Sequence, residues 1–410
     1  MVGANTLLTL FSDDTITGVA HKNKALKRQI MQLLDRKGHS TITDLAQEFT
    51  ISVPKMTSLI SELIDSGIVQ DYGKTETLGG RKPYLYGLNA KAAYFLGVDV
   101  KKDYINIGLM NFNKELVSVR ERIPYNLENS QEALQNLIAI IRKFIDDFPQ
   151  YKNDLLALGV NLSGRINHTN GFSFSYFHFQ EEPLTVVLEK QLGIRTFLEN
   201  DARANTYGEI MNMSTERDKN ILYIFLDHGI GMGMYINGNL YYGKSGYSGE
   251  LGHIPIFDNE RICHCGKKGC LETEASGSAL QKAFKEKLLS GSTSLILDKV
   301  KTIESIRLRH IIEAANNDDV LSIELIGHIG EKIGRAIAIV INIFNPDLVI
   351  LGGTLAETGE ILRLPVKSAL SKYSLSLVNS DSQLKTSVLG EKAGYIGACL
   401  IARNKLIQMV

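Results

Sequence analysis

Cysteine, net charge and long apolar runs are all scarce in this 410-residue chain. Four cysteines are too few for a disulfide-stapled scaffold, and three of them crowd together, which points to a reducing compartment, the cytoplasm. Lys+Arg number 45 and Asp+Glu 45, so the net charge is zero and bulk electrostatics favour no class of partner. The longest apolar stretch, residues 336–344, is about half of what a membrane span requires. Residues 7–11 are apolar, but no basic residue precedes them, which does not fit a secretory signal. No tandem repeat or low-complexity tract is visible. What is present is 44% hydrophobic content, enough to bury a large core in about two or three domains.

The densest chemistry lies at Glu250-Leu-Gly-His253, a short polar loop, and Cys263-His-Cys265-Gly-Lys-Lys-Gly-Cys270-Leu-Glu272. Thiolate sulfur and imidazole nitrogen together suit zinc, and four such ligands close a tetrahedral structural site. Cys263 and Cys265 are too near in sequence for an easy mutual disulfide. Gly266 and Gly269 let the backbone turn tightly enough for Cys270 to reach the same ion. The expected ligands of one structural zinc per chain are therefore His253, Cys263, Cys265 and Cys270, with His264 pointing away from them. Glu250 and Glu272 stand just outside that set, where a structural knot alone does not need carboxylates. A zinc-bound histidine can offer its second ring nitrogen to a partner, and with flanking carboxylates it would suit sugar hydroxyls.

Glu-x-Gly-His followed by Cys-x-Cys-Gly-x-x-Gly-Cys-x-Glu resembles the signature of the ROK family, a group of bacterial repressors and sugar kinases. The resemblance extends over essentially the whole chain and includes the N-acetylglucosamine- and xylose-repressor type, which has an N-terminal winged helix-turn-helix. It implies that the histidine serves both zinc and sugar, and that the two glutamates contact the sugar. It also implies an α/β fold: an N-terminal winged helix-turn-helix followed by a two-lobed, actin-like (ribonuclease H-like) sugar-kinase fold.

Taken in order, residues 1–20 carry no strong pattern and read as an arm. A helical period from 23 to Gly38 places Ile30, Leu33 and Leu34 on one face. A short helix over 41–49 and a longer one behind Ser52, through residue 66, read as a helix-turn-helix. Two short strands around Gly79-Gly80-Arg81-Lys82-Pro83 describe a wing, a layout similar to that of ROK repressors. Residues 21–89 are thus expected to bind double-stranded operator DNA. Ser52, Lys55, Thr57 and Ser58 would read the major groove, and Arg81 and Lys82 would meet phosphate or the minor groove.

Beyond residue 88 the register changes. Segments 93–101, 104–112 and 116–123 read as strands, 130–148 as a helix and 155–161 as a buried parallel strand. A strand over 194–198 delivers Glu199-Asn200-Asp201 to its carboxyl end, where α/β sheets bind ligands. Asp201 also reads as the N-cap of the following helix. The family resemblance assigns the Asn-Asp pair to sugar hydroxyls and, in kinases, makes the aspartate the catalytic base. Ser163, Gly164 and the aromatic run 172–178 are expected to shape sugar specificity. A glycine-rich hairpin over 229–233, a long helix over 320–344, a strand over 347–351, another near 386–389 and a helix from 393 complete the chain. The expected division is an arm at 1–20, a DNA-binding head at 21–89, one lobe at 90–205 with 393–410, and a second at 206–392 with the zinc site. The cleft between the lobes is the expected place for the sugar.

Asp99 stands where the family has the aspartate of its ATP-phosphate cradle, but no glycine or threonine follows it. Backbone amides crowd around a phosphate only where side chains leave room. Lys101 and Lys102 at the same hairpin read as solvated. The expected function is accordingly a sugar-responsive regulator, not an enzyme. It would be a homodimer or homotetramer that binds operator DNA and a monosaccharide or sugar phosphate. The alternatives are an ATP-dependent sugar kinase with Asp201 as base, and a repressor released by a protein partner.

Overall fold

The structure is a computed structural model that describes residues 2–11, 18–74, 83–213 and 219–407, with residues 2–5 by backbone alone. It falls into two compact units. One comprises Met1–Asn161, Tyr176–Leu198 and Ala398–Val410; the other comprises Leu162–Ser175 and Glu199–Gly397. In the first unit the head shares a core with the sheet behind it, and residues 162–175 fold with the second unit.

The first unit opens with α1 (Val2–Phe11) where a patternless arm was expected. Leu7, Leu10 and Phe11 recur at helical spacing and are buried, and Arg28 Nε on the next helix donates to the Leu10 carbonyl at 2.7 Å. Helix α2 (Val19–Lys37) begins ahead of residue 23 and stops at Gly38, whose positive φ lets its N–H return to Leu34 O at 2.8 Å. After β1 (His39–Ser40), Thr41 caps α3 (Ile42–Glu48) by accepting the Asp44 N–H. Helix α4 (Val53–Asp65) buries Met56, Leu59, Ile60 and Leu63, as the period predicts. Ser52 precedes it without a side-chain capping bond, and a proline in the first turn, whose φ is already helical, starts the helix instead. Strands β2 (Val69–Lys74) and β3 (Tyr84–Leu88) pair antiparallel, and β1 joins β3 to complete the three-stranded wing sheet.

Behind the head, β4 (Tyr94–Val100), β5 (Tyr104–Asn111), β6 (Leu116–Pro124), α5 (Gln131–Asp146) and β7 (Leu155–Leu162) follow in the expected order. A small hairpin, β8 (Ile166–Asn167) with β9 (Phe172–Ser173), leads to α6 (Leu184–Leu192) and β10 (Arg195–Asn200). The sheet runs β10-β7-β4-β5-β6. Ile30, Met31 and Leu34 of the head lie in one buried cluster with Phe95, Phe112, Ala402 and Ile407 of the body. Asp35 at the end of α2 accepts from Arg403 Nη2 at 2.5 Å and from Lys114 Nζ at 3.1 Å. Cys399 is buried as expected, donating to the carbonyls of Phe95 and Gly108.

The second unit contains α7 (Asp201–Asn212), β11 (Ile221–Leu226), β12 (Ile230–Ile236), β13 (Asn239–Leu240), α8 (Glu272–Ala275), α9 (Gly277–Leu289), α10 (Leu308–Ala315), α11 (Val320–Phe344), β14 (Leu348–Gly352), α12 (Glu360–Tyr373), α13 (Ser376–Asp381) and β15 (Gln383–Thr386). Its sheet runs β13-β12-β11-β14-β15, with β14 parallel to both β11 and β15. The β12–β13 turn has Asn237 and Gly238 both at positive φ, as a tight hairpin demands. The last strand ends where the sequence placed its start, and α12 and α13 had no sequence counterpart. Helix α14 (Lys392–Leu406) closes the chain.

Helices α7 and α14 touch backbone to backbone. A side chain on Gly397 would collide with the Ala204 carbonyl, and one on Gly208 with that of Ala393. Gly397→Ala is therefore expected to cost about 1–3 kcal/mol by overpacking. A fall in the urea midpoint at unchanged slope checks this; an unchanged midpoint refutes it.

Candidate functional site

The zinc-type residues converge. One donor atom each from His253, Cys263, Cys265 and Cys270 lies within 4.8 Å of all the others. His253 Nδ1 faces Cys263 Sγ at 3.5 Å, and Cys265 Sγ faces Cys270 Sγ at 3.7 Å. The sequence builds this knuckle from glycines and short bridges. Gly266 and Gly269 both have positive φ, Cys263 N–H donates to Lys267 O at 2.8 Å, and Pro255 bridges to Cys270. Burial, reinforced by the bond with Cys265, pushes the Cys270 thiol up to about 12. Three sulfurs and one imidazole nitrogen at this spacing fit a tetrahedral zinc ion.

His264 does not point clear of the cluster as expected. Its Nδ1 is 3.0 Å from Glu272 Oε1 and 3.8 Å from Cys263 Sγ, because the carboxylate attracts the exposed ring. Glu272 Oε2 meanwhile accepts the Ile230 N–H at 3.1 Å. Burial works against ionising Glu272, but the His264 and Ile230 hydrogen bonds outweigh it and hold the carboxyl below the usual range. The second nitrogen of His253, Nε2, faces Glu250 Oε2 at 3.8 Å. Surrounding protein raises the Glu250 carboxyl, an effect His253 and then Arg203 partly offset.

Asn200 and Asp201 sit at the β10–α7 junction in the same unit as Glu250, His253 and Glu272. Asn200, not Asp201, caps α7, its Oδ1 accepting from Arg203 N at 3.2 Å. A residue one step later already has helical backbone, so Asp201 Oδ1 instead accepts from Ala202 N and Asn200 Nδ2. Asn200 Nδ2 also donates to Gly164 O at 3.0 Å, which draws Ser163 and Gly164 to the pair.

Beneath these groups lies a network that sequence reasoning missed. Arg203, 2% exposed, donates from Nε to Glu199 Oε1 at 2.7 Å and from Nη1 to Gly246 O at 2.8 Å. Its guanidinium also stands 5.5 Å from the Tyr242 ring centre. Glu199 Oε1 further accepts the Asn200 N–H at 2.9 Å. Burial first, and the Glu199 charge second, push the Tyr242 hydroxyl far above its ordinary value. One buried arginine thus ties the Asn200–Asp201 corner to the segment leading into Glu250. The signal available in sequence was an i,i+4 Glu-Arg pair straddling a strand end and an alanine-rich helix start.

At the β4–β5 hairpin, Lys101 is not solvated. Its side chain is 10% exposed and its Nζ lies 3.3 Å from the wholly buried Asp99, because a carboxylate taken out of water favours a neighbouring cation. In the head, Ser52, Thr57 and Ser58 are exposed and Lys55 is half-exposed on the outer face of α4. Thr57 Oγ1 donates to Val53 O, and Ser58 Oγ to Glu62, which also pairs with Lys27. Arg81 and Lys82 lie outside the described residues.

Residues 95–405 match the family described as "ROK family", and residues 24–70 match "Winged helix-turn-helix DNA-binding". The chain is 29% identical to a putative xylose repressor of Caldicellulosiruptor sp. (strain Rt8B.4), over 94% of this chain and 98% of that protein. It is 31% identical to the xylose repressor of Bacillus subtilis (strain 168), covering 87% and 88% respectively. Among solved structures, a ROK family transcriptional regulator described as a homolog of the E. coli MLC protein superposes with a TM-score of 0.77 at 28% identity, covering 94% of this chain and 97% of that one. Among the described residues, no helix is long and apolar enough to cross a membrane.

Proposed function

The chain belongs to the ROK family and carries a winged helix-turn-helix head, and from that premise we propose that it is a cytoplasmic, sugar-responsive transcriptional repressor rather than a kinase. Residues 21–89 bind operator DNA, as one head of a homodimer or homotetramer. Ser52, Lys55, Thr57 and Ser58 read bases, and Arg81 and Lys82 hold phosphate or the minor groove. A monosaccharide or sugar phosphate is bound by Ser163, Gly164, Asn200, Asp201, Glu250, His253 and Glu272. Their proximity within one compact unit supports this reading.

One structural zinc per chain is held by His253, Cys263, Cys265 and Cys270, whose donor set and spacing fit it. The ion supplies rigidity, keeping Glu250, His253 and Glu272 in register for the sugar hydroxyls. Sugar releases operator only to the extent that it binds one state of the chain better than the other, typically by about 1–3 kcal/mol of coupling.

The observation that carries the choice against a kinase is the Lys101–Asp99 pair. The aspartate at the phosphate-cradle position is buried against the chain's own cation, and the following residues are not glycines. Phosphoryl transfer depends almost entirely on positioning the phosphate. The wild type is therefore expected to bind a monosaccharide without turning over ATP and magnesium. Asp201→Asn is expected to lose sugar-induced release while keeping operator affinity, measured by fluorescence anisotropy with and without sugar. Sustained sugar-phosphate production that Asp201→Asn abolishes would make the chain a kinase and reverse the proposal.

A further inference from the structure

Two exposed aromatic rings, one of them in the run 172–178 expected to shape specificity, stand beside the proposed polar sugar site. Phe174 is 46% exposed and Tyr247 is 40% exposed, and their rings meet edge to face with centres 6.2 Å apart. Phe172 backs Phe174, with ring centres 6.2 Å apart and planes inclined by 28°. Solvent-facing aromatic side chains held in a fixed mutual geometry form a platform for a ligand with an apolar face.

The backbone places this pair at the rim of the polar set. Phe174 N–H donates to Arg165 O at 2.9 Å, so Phe174 lies one strand spacing, about 4.8 Å, from the residue next to Gly164. Gly164 O is the acceptor for Asn200 Nδ2. Tyr247 stands three residues before Glu250 and directly after Gly246, whose carbonyl is held by Arg203. Behind the rings, the β8–β9 hairpin and the 241–249 segment are fastened together. The His168 and Tyr242 rings stack with centres 3.9 Å apart, and a Cβ on Gly246 would stand 3.0 Å from Ile166 O. The Phe174–Tyr247 pair therefore spans the two segments that end in the amide and carboxylate groups of the site, one step outward from both.

The two halves of this arrangement suit two different pieces of a carbohydrate. The hydroxyls of one ring are satisfied by Asn200, Asp201, Glu250 and His253. The faces of exposed rings do not serve hydroxyls as amides and carboxylates do, but they match the C–H face of a pyranose. We infer that Phe174 and Tyr247 form a second subsite that stacks the next sugar ring, so that this chain binds a disaccharide more tightly than the corresponding free monosaccharide. This inference rests on the sugar-site reading above and adds the ligand's length.

The test is calorimetric titration of the full-length protein with matched pairs: xylose and xylobiose, glucose and cellobiose, N-acetylglucosamine and chitobiose. At least one disaccharide is expected to bind about tenfold or more tightly than its own monosaccharide. Phe174→Ala and Tyr247→Ala should each remove most of that gain while leaving monosaccharide affinity and melting temperature unchanged, and Phe174→Trp should retain it. Because both side chains are exposed, these variants are expected to fold. Monosaccharide binding with no disaccharide advantage, or an advantage that survives both alanine variants, overturns the subsite and leaves the sugar site standing. Failure of every sugar to bind overturns both.

Discussion

Purified protein is expected to hold close to one equivalent of zinc, and Cys270→Ser is expected to lose it together with a large part of the stability of the 250–272 region. The three thiols and His253 gather around one point, while Cys270 is fully buried and burial drives its thiol far from ionisation. A cation there replaces repulsion among sulfurs by attraction to all of them, and in such knuckles metal-binding free energy is folding free energy. A loss of about 3 kcal/mol or more, or roughly 10 °C in melting temperature, is the expected scale. Chelation of the wild type should reproduce the effect and abolish sugar binding, since Glu250 and Glu272 flank the knuckle. Elemental analysis and differential scanning calorimetry read the result. Metal-free protein with an unchanged melting temperature would sink the zinc assignment.

Arg203→Met should be comparably severe for a different reason. The substitution roughly preserves volume but deprives Glu199, which is 2% exposed, of the guanidinium that pairs with it. Removing one partner of a buried ion pair typically costs about 3–5 kcal/mol, more than the pair itself contributes. Gly246 O loses its donor at the same time, so the segment leading to Glu250 is freed. Urea denaturation should report the destabilisation, and calorimetry a loss of sugar affinity. Adding Glu199→Gln should recover a substantial part of the stability, because the stranded charge is removed. A single variant as stable as wild type would show that the arginine is not the tie between these segments.

The parts of the chain legible in sequence were those governed by local periodicity or by donor chemistry. Helix α4, the β4–β5 hairpin and α11 followed directly from apolar spacing, and the four zinc-type residues from their types and separations. Failures came where tertiary context decides. Helix α1 is short and has no cap signal, and only its packing through Leu7, Leu10 and Phe11 makes it a helix worth forming. The capping role passed from Asp201 to Asn200 because α7 begins one residue earlier than the sequence placed it, with Asp201 already its first residue. Lys101 was read as solvated because nothing local announces that Asp99 is wholly buried. Arg203 escaped notice because its second partner, Gly246, is 43 residues away and is a backbone carbonyl, which no residue type advertises.

The shared core of the head and its neighbouring sheet has a consequence for anyone who wishes to re-address this regulator to another operator. Ile30, Met31 and Leu34 are buried with Phe95, Phe112 and Ala402, and Asp35 is clasped by Arg403 from the far end of the chain. A chimera cut at residue 89 would graft a head whose underside was shaped for a different neighbour, and would leave an apolar scar on both pieces. On the proposed reading, specificity is exchanged most simply on the outer face of α4, where Ser52, Thr57 and Ser58 are exposed and Lys55 half-exposed, with Met56, Leu59, Ile60 and Leu63 buried behind them. The reading head is less a cartridge than a facet cut into a larger stone.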